Sequence, residues 1–209
     1  MEDINMNILA LGAHPDDIEY GCGGTLLTAV ANKHKVYLGV MTDGSATTNT
    51  NRIAEQEKAA ALMGASDIFW GGFQDTHLEQ NRALITSIEG MLKKASPDIV
   101  FVNAPNDAHQ DHQALASSAI TACRYIGRVL FYHDYTSIDF LPDTYTDIGT
   151  TLKGKCKLLA CHKSQVSKKY PTGLDILESV NALAAYYGFM AKVRYAEAFK
   201  PLRYLMSIT

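Results

Sequence analysis

Short apolar runs rich in β-branched residues alternate along the chain with longer segments in which apolar residues recur every three or four positions. The short runs predict strands, and the longer segments predict helices that pack one face against a sheet. This alternation is typical of a Rossmann-like three-layer α/β fold, in which helices cover both faces of a mostly parallel central sheet. We predict strands at residues 7–13, 36–41, 66–70, 98–103 and 129–133.

The segments between these strands predict helices at residues 24–32, 53–63 and 81–95, of which the last has the most regular apolar spacing. After Tyr135 the pattern loosens, so a loop is expected over residues 136–145, followed by helices at 150–162 and 174–199. The chain has 209 residues and no repeat or low-complexity segment. We therefore expect one domain that spans residues 1–209.

Composition and charge limit which binding partners and which cellular compartment are expected. A formal net charge of −3 argues against a nucleic-acid-binding protein, which would carry a clustered basic face. No apolar run approaches the roughly 18 residues of a transmembrane segment, and the chain starts with acidic Glu2 and Asp3, so a cytoplasmic location is expected. The four cysteines lack the paired spacing of a zinc knuckle and are expected to be reduced. A homo-oligomer is the general expectation.

The sequence His14-Pro15-Asp16-Asp17 follows the first predicted strand and brings an imidazole and two carboxylates together. Pro15 excludes helical backbone at His14, so the strand should end there in a sharp turn. Neighbouring side chains on such a turn project in different directions, so one aspartate could bind a metal while the other reaches a water molecule. A simple helix N-cap is the alternative explanation of these aspartates.

A second polar cluster, His109-Gln110-Asp111-His112, follows the predicted strand at residues 98–103. Ligands of parallel α/β sheets bind outside the carboxyl ends of the strands, so the two clusters are expected to converge there. His14, Asp17 and His112 would then form a set of two histidines and one carboxylate, which leaves a position for water as in catalytic zinc sites. Iron(II) accepts the same donors. Asp111 is expected to cap the helix that starts in this cluster.

With these two clusters the sequence resembles the PIG-L/LmbE family of zinc-dependent N-acetylglucosaminyl deacetylases. Further stretches match the family's pattern in order and spacing over most of the chain, and these are Thr42-Asp43-Gly44, Arg52-x-x-Glu55, Gly72-Phe73-Gln74-Asp75, Asp147-Ile148, His162-Lys-Ser-Gln165 and Tyr195-Ala-Glu-Ala-Phe199. The resemblance implies a metal-dependent hydrolase that removes an N-acetyl group from an N-acetylglucosamine-type sugar or sugar conjugate. The implied partner is a small N-acetyl sugar.

The resemblance also implies roles for residues around the predicted metal. Asp16 lies at the position of the family's general base, and His109 is the expected stabiliser of the oxyanion and the acid for the leaving amine. Asp111 would orient a histidine by a hydrogen bond, as carboxylates in metal sites commonly do. Arg52 and Asp75 look like the family's substrate-binding residues. Whether His162 and Gln165 serve the site or only end a helix is open.

Other functions compete with this interpretation. Dinucleotide-binding proteins share the strand and helix order, but their glycine fingerprint is missing after the first strand, and two carboxylates there would repel a pyrophosphate. A non-catalytic sugar-binding protein of the same fold would not need Asp16 and His109. A zinc hydrolase of another small amide is compatible with every residue named above. The acyl group and the rest of the substrate cannot be read from the sequence.

Overall fold

A computed structural model of the protein describes residues 5–45, 52–168 and 170–206, so Glu2 and Asp3 lie outside the described residues. Within these ranges the strands are β1 (Asn7–Gly12), β2 (Lys35–Thr42), β3 (Asp67–Phe73), β4 (Ile99–Asn103), β5 (Arg128–Tyr132), β6 (Thr144–Asp147) and β7 (Ala196–Tyr204). The helices are α1 (Asp17–Ala31), α2 (Arg52–Met63), α3 (Arg82–Ala95), α4 (Gln110–Ala122), α5 (Leu152–Leu159), α6 (Lys163–Val166) and α7 (Ile176–Ala191). None of these helices is long and apolar enough to cross a membrane.

All the strands pair in one sheet with the order β3-β2-β1-β4-β5-β7-β6. The first five positions are parallel, whereas β7 and β6 run antiparallel at one side. The strand order reverses between β1, which pairs with β2, and β4, which pairs with the opposite side of β1. The carboxyl ends of β1 and β4 therefore flank the crevice where such sheets bind ligands.

Alternate residues of β1 enter two separate hydrophobic cores because successive side chains of a strand point to opposite faces. Leu9 and Leu11 pack with residues of α3 and α4, whereas Ile8 and Ala10 pack with residues of α1 and α2. Both faces of the sheet are thus covered by helices, which explains why the predicted strands are continuous apolar runs. The predicted α/β fold with a mostly parallel sheet is confirmed.

The first helix begins earlier than the sequence predicts. The apolar spacing predicts a helix from residue 24, but α1 begins at Asp17 and includes the glycines at 21, 23 and 24. A Cβ atom on Gly21 would lie 2.1 Å from Cδ2 of Tyr132, and one on Gly24 would lie 2.8 Å from Cγ2 of Ile148. These glycines let the helix approach its neighbours closely, so their cost in helix propensity is offset by tertiary packing.

The predicted helix at residues 174–199 is wrong in its last part. α7 ends at Ala191, and Lys192 has a left-handed backbone with φ 64°. Residues from Ala196 onward then form β7, which lies between β5 and β6. The predicted loop at residues 136–145 likewise overlaps β6, which starts at Thr144. Both strands owe their pairing to partners distant in sequence, which local apolar spacing does not register.

Candidate active site and metal centre

Seven of the eight site residues predicted from the sequence line one pocket of about 170 Å³ at the carboxyl edge of the sheet. They come from the turn after β1, the start of α2, the loop after β3 and the segment after β4. The seven are His14, Asp16, Asp17, Arg52, Asp75, His109 and His112. Asp111, the eighth, is fully buried beneath them.

The Asp17 carboxylate lies between two histidines. Its Oδ2 atom is 3.6 Å from Nδ1 of His14 and 3.3 Å from Nε2 of His112. The same oxygen accepts hydrogen bonds from the backbone N–H of His14 and from the side-chain amide of Asn103. The turn at Pro15 and the end of β4 therefore hold this carboxylate in place.

The two distances from Asp17 to the histidines are each compatible with a shared metal ion. Two ligand atoms at about 2.0–2.1 Å from a tetrahedral zinc ion lie about 3.3–3.4 Å apart, close to the distances from Asp17 to the two histidines. The ring nitrogens of His14, His109 and His112 also lie within 4.8 Å of one another, so His109 is a further donor beside the predicted set. A group made of His14, Asp75 and Asp111 meets the same distance limit.

Each of the two histidines next to Asp17 has a carboxylate on its other ring nitrogen. Nε2 of His14 is 3.1 Å from Oδ2 of Asp111, and Nδ1 of His112 is 3.3 Å from Oδ1 of Asp107. Metal-binding histidines commonly make this second contact, which fixes the tautomer and the ring orientation. Asp111 was predicted in this role from the sequence, whereas Asp107 was missed.

The predicted helix cap at Asp111 is wrong. α4 begins at Gln110, and its N-cap is His109, whose Nδ1 accepts a hydrogen bond from the backbone N–H of Asp111. The Asp111 carboxylate instead accepts from the backbone N–H groups of Thr76 and Leu78 in the loop after β3. The Asp111 carboxylate thus connects that loop to His14. Its contacts run across the edge of the sheet and do not cap its own helix.

Asp16 is held at both its side chain and its backbone. Its Oδ1 atom accepts a hydrogen bond of 2.9 Å from Arg52, and its N–H donates to Oε1 of Gln56. The Gln56 amide in turn donates to Glu19. The backbone of Asp16 is left-handed, with φ 95°, a conformation that few non-glycine residues adopt.

Arg52 lies in the pocket, but its guanidinium is largely used within the protein. Besides Asp16 it donates to the backbone oxygens of Gly44 and Pro15, and the side chain is only 6% exposed. Asp75, the other residue predicted to bind substrate, lies with Oδ1 3.0 Å from Nε2 of His14. Both residues are therefore positioned next to the predicted metal and base.

The charges of the pocket favour a cation. Burial by itself lowers the pKa of His112, but the carboxylates of Asp17 and Asp107 raise it to about 11. Burial also lowers the pKa of His14. The carboxylates of Asp111, Asp17 and Asp75 outweigh this effect and hold the pKa of His14 well above its usual value. Burial would raise the pKa of Asp17, yet the adjacent His112 holds it well below its usual range. The surrounding carboxylates therefore favour a bound cation between Asp17 and the two histidines.

The pKa values of Asp16 and His109 are shifted in the opposite directions from those of Asp17 and His112. Burial raises the pKa of Asp16 to about 6, although the nearby Arg52 cation acts in the opposite direction. Burial also lowers the pKa of His109, and the neighbouring His14 and His112 lower it further. Two carboxylates in sequence, Asp16 and Asp17, therefore have pKa values on opposite sides of their usual range, which is a common property of catalytic pairs.

Some residues of the pocket wall were not predicted from the sequence, namely Thr76, Tyr135 and Lys168. Gln165, whose role the sequence left open, also lines the pocket, whereas His162 is fully buried with Nε2 3.4 Å from Oε2 of Glu19. Asp43, from the matching stretch Thr42-Asp43-Gly44, accepts a hydrogen bond from the N–H of Ser45, as in a turn. Tyr135 follows His133 and Asp134 at the carboxyl end of β5, a position that none of the matched sequence stretches marks.

Comparison with known proteins gives a consistent result. Residues 9–123 match the family described as PIG-L, GlcNAc-PI de-N-acetylase. The chain is 34% identical over 151 residues to the uncharacterized deacetylase YaiS of Escherichia coli. The aligned region covers 68% of this chain and 81% of the relative. It is 26% identical to the diacetylchitobiose deacetylase of Thermococcus kodakarensis, over 92% of this chain and 82% of the relative. A conserved protein from Thermus thermophilus has the same fold, with a TM-score of 0.87, 25% identity and 97% of both chains covered.

Proposed function

Because the chain belongs to the PIG-L family of de-N-acetylases, we propose that it is a metal-dependent amidohydrolase that removes the N-acetyl group from an N-acetylglucosamine-type sugar or sugar conjugate. The observation that carries this proposal is the Asp17 carboxylate between His14 and His112, with Asp16 beside it. The relative from Thermococcus kodakarensis is by name a diacetylchitobiose deacetylase, which supports an acetylated sugar as the substrate.

His14, Asp17 and His112 would hold a divalent metal, for which we propose zinc. Zinc takes two histidines and one carboxylate in catalytic sites that keep a position for water, and iron(II) is the alternative for the same donors. A bound metal supplies Lewis acidity: it lowers the pKa of a water molecule and polarises the carbonyl group of the amide. Asp111 and Asp107 would orient the two histidines through their second ring nitrogens.

Asp16 is assigned as the general base that takes a proton from the attacking water. Its pKa of about 6 leaves the carboxylate ionised near neutral pH while keeping it basic enough to accept a proton. Its hydrogen bond from Arg52 fixes one carboxylate oxygen, so the other remains for water. Asp17 is unsuited to this role because the adjacent His112 holds its pKa too low.

We assign two roles to His109. It stabilises the negative charge that develops on the amide oxygen, and it protonates the departing amine. The Asp111 N–H donates to Nδ1 of His109, so the proton of the neutral ring resides on Nε2. From Nε2 the ring can donate a hydrogen bond to the developing oxyanion. When protonated, the same ring can pass a proton to the leaving amine.

Arg52 and Asp75 are proposed to contact the sugar. Both line the pocket, and a hydroxylated substrate offers donors and acceptors that a buried guanidinium and carboxylate can satisfy. The cytoplasmic location, the homo-oligomer and the single domain over residues 1–209 stay predictions.

The test is deacetylation by the zinc-loaded protein of N-acetylglucosamine and N,N'-diacetylchitobiose, measured as released acetate and as free amine. Asp16→Asn should keep its metal by elemental analysis and lose activity by a factor of about 10² or more, the usual scale for a positioned base. The control is Asp67→Asn, which changes an exposed aspartate at the start of β3.

If Asp16→Asn retains near-normal turnover, another group activates the water and the assignment of Asp16 fails. If the wild-type protein binds zinc but releases acetate from simple N-acetyl amines as well as from the sugars, the sugar part of the proposal fails while the amidohydrolase part survives.

A further inference from the structure

A second cavity adjoins the catalytic pocket. We call it the apolar groove; its volume is about 260 Å³, and its apolar lining consists of Tyr135, Tyr170, Pro171, Leu174 and Ile176. Tyr135 belongs to the walls of both cavities, so the groove continues the catalytic pocket directly. The segment before α7 and the first residue of α7 thus build one side of an extended binding surface.

Among the described residues that line it, the apolar groove offers few free polar groups. Thr172, Asp175 and Ser179 border it, but each side chain is already bonded within the protein. Asp175 accepts from the backbone N–H of Glu178 as the helix cap, Ser179 donates to the backbone oxygen of Ile176, and Thr172 accepts from the N–H of Leu174. A second sugar in the groove would have few partners for its hydroxyl groups.

Apolar surface in the groove is open to water instead. Tyr135 is 54% exposed and Leu174 is 48% exposed. Tyr135 meets Tyr20 and Tyr170 edge to face, with ring centroids 5.5 and 6.1 Å apart, and these contacts keep its ring in place. Covering preorganised apolar surface of this kind with an apolar group is favourable, because both surfaces leave water.

The sizes of the two cavities indicate a substrate that extends across both. Small-molecule sites typically enclose about 300–1,000 Å³, and neither the catalytic pocket of 170 Å³ nor the groove of 260 Å³ reaches that range alone. Together they do. One end of the joint cavity is polar and carries the catalytic residues, while the other end is apolar.

We propose that the apolar groove is a subsite for an aryl or alkyl aglycone, carried by the sugar whose N-acetyl group enters the catalytic pocket. This inference rests on the proposed deacetylase function and narrows its substrate class to glycosides with an apolar group. Tyr170 and Leu174 are then specificity residues, since they contact the aglycone and not the reacting amide.

The test compares the methyl, phenyl and octyl glycosides of N-acetylglucosamine with N,N'-diacetylchitobiose as substrates of the zinc-loaded protein. The phenyl and octyl glycosides should have a kcat/KM about tenfold or more above that of the methyl glycoside, since burial of each methylene group contributes severalfold to affinity. Tyr170→Ala and Leu174→Ala should reduce this ratio towards one. Tyr125→Ala and Leu62→Ala, which change exposed residues outside both cavities, should leave the ratio unchanged.

Binding of phenyl N-acetylglucosaminide to zinc-loaded Asp16→Asn protein, measured by calorimetry, separates this inference from the proposed function. A negative heat-capacity change that Leu174→Ala reduces supports the groove even if no glycoside is hydrolysed. Equal affinity for the methyl and phenyl glycosides overturns it. Preference for N,N'-diacetylchitobiose over the phenyl and octyl glycosides also overturns it and assigns the groove to a second sugar.

Discussion

Asp16 combines a left-handed backbone with a buried carboxylate, and both features are unfavourable in isolation. Backbone of this kind costs about 1–3 kcal/mol and persists only where surrounding contacts enforce it. Here Gln56 binds the N–H, and Arg52 binds the carboxylate. The sequence motif predicted that Asp16 and Asp17 differ in role, but the residues that enforce the difference lie 36 and 40 positions away.

Arg52→Lys should lower kcat of deacetylation by about tenfold or more, with a smaller rise in KM from the weakened contact with the sugar. A lysine ammonium cannot reproduce the planar set of hydrogen bonds to Asp16, Pro15 and Gly44, so the base loses its fixed position. Steady-state kinetics of the variant measure the effect, with exposed Arg82→Lys as the matched control. A rise in KM at unchanged kcat would assign Arg52 to substrate binding alone and would contradict its role in holding Asp16.

His133 should make stability depend on pH in the mildly acidic range. Burial lowers the pKa of His133 to about 4, and Nδ1 of the neutral ring shares a 2.6 Å hydrogen bond with the hydroxyl of Tyr187. An unfolded histidine has a pKa of about 6.5, so between these values the unfolded chain binds a proton that the folded chain does not. The stabilisation is therefore complete above pH 6.5 or so and is lost as the pH falls towards 4.

Urea unfolding of the wild type and of His133→Gln at about pH 7.5 and about pH 5 measures this effect. The wild type should lose about 1–2 kcal/mol more of its free energy of unfolding between these conditions than the variant does. Equal losses in both proteins would show that His133 is protonated in the folded state.

At the scale of the helices and strands, α1 illustrates what local sequence signals miss. Its start was predicted at residue 24 but lies at Asp17, and Gly21 and Gly24 are needed where the helix meets Tyr132 and Ile148. Four parallel strands, β1, β2, β4 and β5, were predictable because their residues are mostly buried and their apolar runs are unbroken. β3 lies at the edge of the sheet and is only partly buried, but its short apolar run still marked it. β6 and β7 were not predictable, since residues of β6 are only partly buried and β7 contains Glu197 and Pro201.

Gly21→Ala should destabilise the fold by about 3 kcal/mol, because a Cβ atom there overlaps the Tyr132 ring and overpacking costs about this much. Tyr132 cannot easily move, as its hydroxyl donates to Leu11 and Asn103. The control is Gly90→Ala in α3, where nothing lies within 4 Å of the new atom and stability should rise by about 0.5–1 kcal/mol. Urea unfolding of both variants compares them, and equal effects would contradict the close contact.

At the scale of the whole molecule, a buried ion pair connects the C-terminal strand to the first helix. Nζ of Lys155 in α5 donates to Glu197 in β7 at 2.6 Å, and the Glu197 carboxylate also accepts from the N–H groups of Gly24 and Thr25 in α1. The family motif around Tyr195 to Phe199 marked this segment in the sequence. The role of Glu197, however, depends on Lys155, 42 positions away, and on the N–H groups of Gly24 and Thr25, 173 and 172 positions away, which a local pattern does not register.

Lys155→Met should therefore cost about 3–5 kcal/mol of unfolding free energy, since it leaves the Glu197 carboxylate buried without its cation. The double variant Lys155→Met, Glu197→Gln should lose less than the sum of the single changes. The exposed pair Arg124 and Glu89 is the control, because Arg124→Met should cost less than about 1 kcal/mol. Additive losses at Lys155 and Glu197 would show that the two side chains are not coupled.

The order of the sheet leaves β3 and β6 as its outer strands among the described residues, and unpaired outer strands are where proteins join into aggregates. At β3, Gly71 and Gly72 face a single residue of β2, and this bulge interrupts the flat array of hydrogen-bonding groups. β6 has only four residues and ends at Asp147. Both borders are therefore poor templates for adding the strand of another copy, and we expect a symmetric oligomer of this protein to form through helices or loops.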